Sequence, residues 1–495
     1  MTASSIGQPD TSYHHGQEAS GEPRAANRRA WSRTVAVDLV GFAEVTAISI
    51  GGLLPAWIFS HFGGVDLNWT FVLQSSLVAA FVGYLCLRDS GMYDTSKLHD
   101  LPTSPGRLLA ALSIAIFCIV GLGLPVAGLE EHMLIWYASW LFASLTLLIP
   151  LRAISARILA RLTASGYFDR RIAVFGAGSI ARKVHDHLAA SQTGIRFVGV
   201  YDDRAGQERL DPEGLTVTGR LQDLLSAAQD EQIDDIIIAL PAAADGRISS
   251  IVRTLERVPC SVHVVTHLAS DLLEGQTAHR VSQIGSIGLL DVKERPLADW
   301  SPIVKRAEDI VVSAIGLVMA LPVLMVAIAA IKLESRGPAF YVQRRRGLNR
   351  NVIDVLKLRT LTVTESDSEV RQVTSNDARL TKTGRFLRRM SIDELPQLWN
   401  VLRGDMSVVG PRPHALVHDD TYATMLEEYA NRHQVKPGIT GLAQVNGLRG
   451  QTETVDKMKA RVDQDIAYIK DWSLWLDIKI IARTAVIVAL GKNAH

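Results

Sequence analysis

The stretch RIAVFGAGSIARKVHDHLA, residues 171–189, contains an apolar run, a glycine-rich turn and a helix-like segment. This order predicts a β-strand, a tight turn and an α-helix. Three more strand-like segments follow: FVGVYDD at 197–203, IDDIIIALP at 233–241 and SVHVVT at 261–266. Because strands that alternate with helices form parallel sheets, residues 168–290 are predicted to be a doubly wound, Rossmann-like α/β domain.

The glycine-rich turn fits the G-x-G-x-x-G/A pattern of dinucleotide sites through Gly176, Gly178 and Ala181. Such glycines let a pyrophosphate approach the helix N-terminus. Asp202, at the end of the second strand, stands where a ribose-binding acid would lie. A parallel α/β domain needs the same tight turn without any ligand. Dinucleotide binding and a structural or regulatory role therefore both remain open.

The chain has 495 residues, enough for two or three units, and its composition limits their chemistry. Its 52 basic and 51 acidic residues give a net charge of +1, which provides no general reason to expect nucleic-acid binding. The three cysteines, Cys86, Cys118 and Cys260, lack the spacing of a zinc site or a disulfide framework. A hydrophobic content of 47% favours a membrane part joined to soluble parts.

Four apolar stretches precede the α/β domain, and each is about long enough to cross a bilayer. They lie near residues 35–59, 70–87, 108–129 and 133–151. We expect four transmembrane helices within residues 34–162, in which Asp38 and Glu44 of the first lie near the interface or face neighbouring helices. Residues 1–33 lack a signal-peptide core and are predicted to be a disordered cytosolic tail.

The positions of arginine and lysine predict the orientation of these helices. Basic residues precede the first span, occupy the 88–107 loop and follow the fourth span, whereas the 60–69 and 129–132 loops contain none. Basic loops stay on the cytoplasmic side of a membrane. We therefore expect both ends of the four-helix bundle in the cytoplasm.

A fifth apolar run, at 310–331, has basic residues on both flanks and Pro322 at its middle. Basic flanks favour keeping both ends in the cytoplasm. Pro322 removes a backbone donor and would bend a helix sharply. A helix that enters one leaflet and returns satisfies both observations, although a kinked crossing helix also tolerates proline. Charge and proline alone leave both arrangements open.

The segment after this run is rich in cations beside glycine and proline. GPAFYVQRRRGLNRNVIDVLKLRT, at 337–360, predicts two short strands around a turn. Recurring cations suit phosphate oxygens, and no aromatic stacking platform of the kind that binds nucleic acid is interleaved with them. These cations are Lys357, Arg359, Arg379, Lys382, Arg385, Arg388, Arg389, Arg412, Arg432, Lys436 and Arg449.

Asp393 and Glu394 form an adjacent acidic pair within this positive field. The field should lower a carboxylate pKa and keep the group ionised, ready to attack phosphorus or to hold Mg²⁺ that bridges a diphosphate. A helix start is the competing interpretation, because acidic residues complement the helix dipole and Ser391 with Glu394 fits a capping box. Spacing alone leaves both interpretations open.

These segments resemble the bacterial polyprenyl-phosphate glycosyl-1-phosphate transferases. The resemblance rests on GPAFYVQRRRG, KLRT, TKTGRFLRRMSIDELPQLWNVLRGDMSVVGPRP and KPGITGLAQVNG. Four spans, a Rossmann-like domain and this module, in that order, are similar to the large form of the family. The resemblance implies an α+β monotopic catalytic domain over residues 298–495, with a re-entrant membrane helix at 306–333 that is broken near Pro322.

The family implies a reaction and a Mg²⁺ cofactor. An aspartate attacks the β-phosphorus of a UDP-sugar, UMP leaves, and undecaprenyl phosphate takes the phosphosugar from the aspartate. Carried over by the resemblance, Asp393 is the nucleophile, and Glu394 shares Mg²⁺ binding or activates the lipid phosphate. Lys357, Arg359, Arg388 and Arg412 are the implied phosphate-binding residues. Lys436, Gln444 and Asn446, in the 436–446 loop, are the implied nucleotide-binding residues.

The resemblance also implies the setting of the reaction. The expected partners are a UDP-sugar, undecaprenyl phosphate, the lipid bilayer and a second copy of the chain, without nucleic acid. The expected location is the bacterial inner membrane, multi-pass, with the catalytic domain on the cytosolic face, at the first step of exopolysaccharide repeat-unit assembly. PRPHA, NGLRG and WSLWLDIKII look most like glucose-transferring members. Gln451 stands where such members often carry Glu, which leaves UDP-galactose open.

Two other functions remain open at this point. A nucleotide-sugar dehydratase would use NAD at the Gly176 turn with a Tyr-x-x-x-Lys pair, a spacing that Tyr93 and Lys97 match. A non-enzymatic membrane scaffold would use the α/β domain to sense a nucleotide. His414 and His418 are four residues apart but have no third ligand nearby, so we do not predict a metal site there.

Overall fold

The computed structural model describes most of the chain between residues 32 and 489. The described ranges are 32–93, 105–127, 131–190, 194–204, 215–241, 244–265, 280–284, 287–362, 379–448, 450 and 454–489. They belong to one unit, Trp31–His495. Residues 1–31 of the predicted tail, Lys97, Arg449 and Gln451 lie outside the described residues.

Four helices precede the α/β domain in the described part of the chain. They are α1 (Arg33–Phe62), α2 (Trp69–Asp89), α3 (Pro105–Ala127) and α4 (Glu131–Ala164). Ser32 begins α1 by accepting a hydrogen bond from Val35 N at 3.3 Å, and Asn68 begins α2 by accepting one from Phe71 N at 3.2 Å. Helices α1, α2 and most of α4 are long and apolar enough to cross a membrane, and Pro105–Val120 of α3 is a shorter apolar helix. The four predicted stretches are helices.

A charged pair lies inside this bundle. Glu44 of α1 and Arg152 of α4 are both fully buried, with Glu44 Oε1 2.8 Å from Arg152 Nε. Tyr93 donates a hydrogen bond to the same carboxylate. A buried charge in an apolar bundle needs such partners, because an unpaired one is costly. Glu44 therefore faces a neighbouring helix, as the sequence allowed, and the pair joins α1 to α4.

A mixed sheet forms the α/β domain, with seven strands in the described residues. The strands are β1 (Arg170–Phe175), β2 (Ile195–Tyr201), β3 (Val217–Gly219), β4 (Asp235–Ile238), β5 (Ser261–Val265), β6 (Arg280–Ile284) and β7 (Ile287–Lys293). Their order is β3-β2-β1-β4-β5-β7-β6, and β3 to β5 are parallel. The predicted parallel core is thus confirmed. The antiparallel hairpin β6–β7 was not predicted. The three-residue β3 was also missed, because so short a strand carries little periodic signal.

Helices cover both faces of this sheet. They are α5 (Ser179–Ala190), α6 (Leu221–Gln229) and α7 (Asp245–Leu255). Alternate residues of β1 point to opposite faces: Ile172 and Val174 pack with α5, whereas Ala173 and Phe175 pack with α6 and α7. The predicted doubly wound arrangement is confirmed.

The glycine-rich turn has a structural explanation. Gly176 has a φ of 109°, and a Cβ there would lie 2.7 Å from the Ala239 carbonyl oxygen, so only glycine fits. Asp202 is 2% exposed and accepts hydrogen bonds from Ala177 N at 3.0 Å and from Arg204 Nη2 at 2.7 Å. These bonds use the carboxylate that would otherwise contact a ribose. Dinucleotide binding stays a prediction.

Three more residues belong to the predicted dinucleotide and dehydratase patterns: Gly178, Ala181 and Tyr93. A Cβ at Gly178 would meet only open space, whereas Ala181 is buried against the sheet. Tyr93 belongs to the membrane bundle through its bond to Glu44. No contact among the described residues therefore favours the dehydratase alternative.

The C-terminal module, residues 298–495, contains a long apolar helix, smaller helices and two two-stranded sheets in its described part. Its helices are α8 (Ser301–Glu334), α9 (Lys382–Arg389), α10 (Gln397–Arg403), α11 (Leu416–Met425), α12 (Leu442–Val445), α13 (Val455–Lys470) and α14 (Leu474–Ala489). Strands β8 (Phe340–Arg346) and β9 (Val352–Leu358) form the predicted antiparallel pair. Strands β10 (Ser407–Val409) and β11 (Gly438–Thr440) are parallel.

Helix α8 contacts the rest of this module near both of its ends. Close to its start, Arg306 donates to two carbonyl oxygens of α10, at 2.6 and 2.7 Å. At its end, the Glu334 carboxylate accepts from two backbone N–H groups of α9, at 2.7 and 2.9 Å. The structure shows one continuous helix that contains Pro322. The expected break of this helix near Pro322 stays a prediction.

Side-chain hydrogen bonds join the three parts of the chain. Trp300, before α8, donates to Asp38 of α1 at 2.8 Å. Asn349, in the β8–β9 turn, donates to Glu231 of the α/β domain at 3.0 Å. The C-terminal module is therefore connected directly to both preceding parts.

Candidate active site

A short turn between α9 and α10 carries the acidic pair. Thr381 begins α9 by accepting a hydrogen bond from Gly384 N at 2.8 Å. Ser391 follows the helix with a φ of 55°, and Ile392–Glu394 then form one 3₁₀ turn. The Ser391 side chain makes no capping hydrogen bond to this turn. The capping-box interpretation is therefore not supported.

Two cations from different elements hold Glu394. Lys357, near the end of β9, places its Nζ 3.2 Å from Oε1. Arg412, after β10, donates through Nη1 to Oε2 at 3.1 Å and through Nη2 to Oε1. This two-pronged contact, or fork, holds the plane of the Glu394 carboxylate and stabilises its negative charge. Glu394 in turn raises the pKa of Arg412, which stays ionised.

Asp393 differs from its neighbour in its contacts. It is 7% exposed, and within the described ranges its carboxylate accepts no hydrogen bond. Burial and the charge of Glu394 raise the pKa of Asp393, although Lys357, Arg388 and Arg412 act in the opposite direction. The expectation that the positive field would lower this pKa is wrong, because the group is buried rather than solvated. Once ionised, such a carboxylate is a more basic and less solvated nucleophile.

The charge of Lys357 depends on pH in the range near neutrality. Burial, together with Arg345 and Arg412, lowers the pKa of Lys357 to about 8, while Glu394 opposes them. Burial also lowers the pKa of Arg345 to about 10. Lys357 is therefore charged at neutral pH and loses its proton in mildly alkaline solution.

A third predicted phosphate cation, Arg388 of α9, also lies at the acidic pair. Its Nε donates to Thr360 Oγ1 at 3.0 Å, and its charge acts on Asp393. The fold therefore brings Lys357, Arg388 and Arg412 together around the two carboxylates, although they come from three separate elements.

A pocket beside the acidic pair has Arg412 in its wall. It is lined by Arg412, Gly441, Ala443, Gln444, Leu448, Gly450, Arg461 and Asp465. Arg412 lines the pocket and also bonds Glu394. A ligand in this pocket would therefore lie near the carboxylates of Asp393 and Glu394. Gln444, predicted to bind the nucleotide, is part of this wall.

Three other predicted residues contact groups away from the pair. Arg359 donates to two backbone carbonyl oxygens at the end of α8, at 2.7 and 2.9 Å. Lys436 is half-buried near Arg306, and burial with that charge lowers its pKa. Asn446 donates to Gln464 Oε1 at 2.7 Å. These contacts do not support roles in binding substrate, and those roles stay predictions.

Known proteins match both this module and the whole chain. Residues 300–491 match the family model described as Bacterial sugar transferase. A Klebsiella pneumoniae protein named UDP-glucose:undecaprenyl-phosphate glucose-1-phosphate transferase is 37% identical over 460 residues, which cover 92% of this chain and 95% of that protein. The chain belongs to the bacterial sugar transferase family.

Further relatives of this sugar transferase match most of the chain or the module alone. A Komagataeibacter xylinus protein named Undecaprenyl-phosphate glucose phosphotransferase is 37% identical over 438 residues, 86% of this chain and 78% of that protein. A Caulobacter vibrioides protein named UDP-glucose:undecaprenyl-phosphate glucose-1-phosphate transferase is 53% identical over 191 residues, 39% of this chain and 72% of that protein. Residues 88–266 match the model described as CoA-binding domain. The family resemblance stated from the motifs is confirmed.

The site of this sugar transferase also contains a buried network of which the sequence analysis named Arg432 but not Arg461 or Asp465. Arg432 is 2% exposed and donates to the Asp465 carboxylate and to the Arg412 carbonyl oxygen, both at 2.7 Å. Arg461 donates to the carbonyl oxygen of Gly450 at 3.0 Å. The available signal was weak: Arg461 and Asp465 are four residues apart, which places them on one face of α13.

His414 lies between arginines in this network. Its Nδ1 is 2.7 Å from Arg432 Nη1, and its Nε2 is 3.4 Å from Arg461 Nη1. Burial and these charges lower the pKa of His414 well below its usual value, so the ring is neutral. Within the described residues, no group of three His, Cys, Asp or Glu side chains is arranged to hold a metal.

Proposed function

We propose that this protein transfers glucose 1-phosphate from UDP-glucose to undecaprenyl phosphate and releases UMP, at the first step of exopolysaccharide repeat-unit assembly. The observation that carries the proposal is the division of contacts in the acidic pair. Glu394 is held by Arg412 and Lys357, whereas the neighbouring Asp393 carboxylate is buried and accepts no hydrogen bond in the described structure. Relatives named for this reaction, which match most of the chain, support glucose as the sugar.

Asp393 performs the first step. One of its carboxylate oxygens attacks the β-phosphorus of UDP-glucose and forms an O–P bond. The bond from that phosphorus to the bridging oxygen breaks, and UMP leaves with the electron pair. Arg412, Lys357 and Arg388 stabilise the charge that develops on the phosphoryl oxygens. The product is an acyl phosphate that joins glucose 1-phosphate to Asp393.

Undecaprenyl phosphate completes the reaction. An oxygen of the lipid phosphate attacks the same phosphorus, and the bond from phosphorus to Asp393 breaks. Undecaprenyl-diphospho-glucose is released, and the Asp393 carboxylate is restored. Glu394, fixed beside it by Arg412, accepts the proton when the lipid phosphate arrives protonated.

Mg²⁺ is the cofactor that we propose for the donor substrate. Mg²⁺ commonly binds one or two carboxylates and completes its shell with substrate phosphates and water. The acidic pair fits that donor set through Asp393, because both Glu394 oxygens already contact cations. Asp393 would therefore be the main protein ligand, together with the diphosphate. When bound, the ion would neutralise diphosphate charge.

We also propose that the active site lies on the cytosolic face of the bacterial inner membrane, in a homodimer, and that α8 is re-entrant. Both ends of α8 bond to the same module, through Arg306 and Glu334, which favours re-entry over crossing. One face of the helix leaves large apolar side chains exposed, as lipid contact requires. They are Val311, Ile315, Val318, Met319, Met325 and Val326. A lipid phosphate and a soluble nucleotide would meet at this surface.

Cysteine labelling tests the re-entrant arrangement. In protein without its three native cysteines, Pro302→Cys and Arg336→Cys place thiols beside the two ends of α8. A membrane-impermeant maleimide should label neither in intact spheroplasts and both after permeabilisation. Asp66→Cys, in the α1–α2 loop, should be labelled in intact spheroplasts as the control. Labelling of only one end of α8 in intact spheroplasts would establish a crossing helix.

UMP release tests the proposed reaction directly. Detergent-purified protein with Mg²⁺, UDP-glucose and undecaprenyl phosphate should release UMP, and omission of the lipid should abolish turnover. UDP-galactose is assayed in parallel. UMP from UDP-galactose alone would keep the reaction and correct the sugar. Folded protein that releases no UMP from either donor would overturn the proposal.

The pH dependence of kcat/KM should show two limbs. The raised pKa of Asp393 places the acidic decline at higher pH than for an ordinary carboxyl, since the protonated group cannot attack. The alkaline decline should occur near pH 8, where Lys357 loses its proton. Lys357→Arg keeps its charge at higher pH and should remove the alkaline limb. An alkaline limb that survives in this variant would belong to another group.

A further inference from the structure

Within the described residues, the pocket beside Arg412 contains a buried polar atom without a hydrogen-bond partner. Gln444 Oε1 is buried and accepts no hydrogen bond from any described residue. The other end of the amide points to a carbonyl: Nε2 is 3.5 Å from Ile439 O. Because a carbonyl oxygen accepts and cannot donate, Ile439 determines which end of the amide is the NH₂ group. The acceptor Oε1 is therefore left for a ligand that donates.

The same carbonyl connects Gln444 to the reacting carboxylates. Ile439 O also accepts a hydrogen bond from Arg412 Nη1 at 3.4 Å, and Arg412 forms its fork with Glu394. Gln444 and the acidic pair are therefore separated by one shared carbonyl and one guanidinium. A donor substrate whose phosphates lie at Arg412 would place its nucleoside towards Gln444.

The charged residues that line the pocket also favour a nucleotide ligand. Arg412 and Arg461 line it, and its acidic residue, Asp465, is already neutralised by Arg432 at 2.7 Å. Anionic phosphates therefore have cations available in the pocket. Gln444 supplies an uncharged acceptor, which suits a neutral group with an N–H donor.

We propose that Gln444 recognises the uracil base of the donor, by accepting the uracil N3–H at Oε1; this proposal rests on the proposed function. Uracil presents an N–H at position 3 between two carbonyl oxygens, whereas cytosine presents an acceptor nitrogen there. A free amide could rotate to suit either base. The Ile439 carbonyl opposes that rotation, so the pair Gln444–Ile439 selects uracil over cytosine.

Nucleotide titration of the full-length protein in detergent tests this proposal without relying on turnover. The probes are UMP, N3-methyl-UMP, CMP and 2′-deoxy-UMP, each titrated into the wild type and into Gln444→Leu. N3-methylation should weaken wild-type binding about 5- to 150-fold, the range for losing one buried hydrogen bond. CMP should bind as weakly as N3-methyl-UMP, whereas 2′-deoxy-UMP should bind like UMP.

The variant should remove these differences. Gln444→Leu should bind UMP, N3-methyl-UMP and CMP with affinities that agree within about threefold. Gln222→Leu, the same substitution on an exposed part of α6, should keep the wild-type pattern. If Gln444→Leu fails to fold, N3-methyl-UMP with the wild type still decides the question.

Two results would overturn the proposal. Equal wild-type affinity for UMP and N3-methyl-UMP would exclude a bond to N3–H, and a loss confined to 2′-deoxy-UMP would move the contact to the ribose. Either result together with lipid-dependent UMP release would leave the proposed function intact. Absence of both UMP binding and UMP release would instead refute the proposed function.

Discussion

Asp393→Asn should lower lipid-dependent UMP release by at least about 10³-fold. The amide keeps the shape of the side chain but cannot attack phosphorus as a carboxylate does. Burial and Glu394 raise the pKa of Asp393, which means that the ionised form is disfavoured in the folded protein. The neutral amide should therefore leave the thermal unfolding midpoint unchanged or raise it. Both quantities are measured in the same detergent.

Asp420→Asn is the matched control for this substitution. Asp420 lies on α11, is half-exposed and pairs with Arg346 and Arg350 at 3.2 Å, away from the acidic pair. It should keep UMP release within about twofold, since exposed ion pairs contribute little. Intact mass after incubation with UDP-glucose alone should show a phosphoglucose adduct on the wild type and none on Asp393→Asn. Near-normal UMP release by Asp393→Asn would assign the nucleophile to another residue.

Arg412→Lys should lower kcat/KM for UDP-glucose by about 10²-fold, the second largest effect that we expect. Lysine keeps one positive charge but cannot donate a fork to Glu394 while it also bonds Ile439 O. The substitution should therefore disturb the orientation of Glu394 and change one wall of the pocket. Steady-state kinetics with varied UDP-glucose measures the change.

Arg253→Lys is the control for this charge-conserving change, because Arg253 lies exposed on α7 of the α/β domain. It should match the wild type in kcat/KM and in thermal unfolding. An Arg412→Lys protein that equals the wild type in kcat/KM would show that charge alone is needed at this position. The geometric argument for the fork would then fail.

Much of the fold could be predicted from local patterns. The stretch 171–189 and the strand-like segments after it predicted a parallel α/β core, and the structure has parallel strands there. Apolar length predicted long helices before the α/β domain, and the structure has helices there that are long and apolar enough to cross a membrane. The hairpin β6–β7 was not predicted, because its pairing with β5 is antiparallel and depends on contacts between distant residues.

Part of the candidate site could also be predicted. The adjacency of Asp393 and Glu394, the recurring cations and the family motifs indicated this region, and the structure places Lys357, Arg388 and Arg412 near the pair. Arg359 was grouped with them by the family resemblance. Its guanidinium instead bonds the end of α8, because the side chain direction at the end of a strand depends on what packs there.

The direction of the Asp393 pKa could not be predicted from the sequence. Cations near a carboxylate lower its pKa, but burial raises it, and burial depends on the complete fold. The network of Arg432, Arg461 and Asp465 could not be predicted either, because it too depends on the complete fold. It joins α13 to the Arg412 segment across about 50 residues of sequence, and no local pattern reports such a contact.

By itself, the sequence determined which chemistry this protein carries: apolar stretches long enough to cross a membrane, a glycine-rich α/β core, and an acidic pair among cations. Each is a property of neighbouring residues, so periodicity and spacing are sufficient to find it. Only the tertiary structure decided that Glu394 is held while Asp393 accepts no hydrogen bond in the described residues, and that Arg412 joins the pair to a pocket. Those outcomes depend on burial and on distances between remote segments, which exist only in the folded chain.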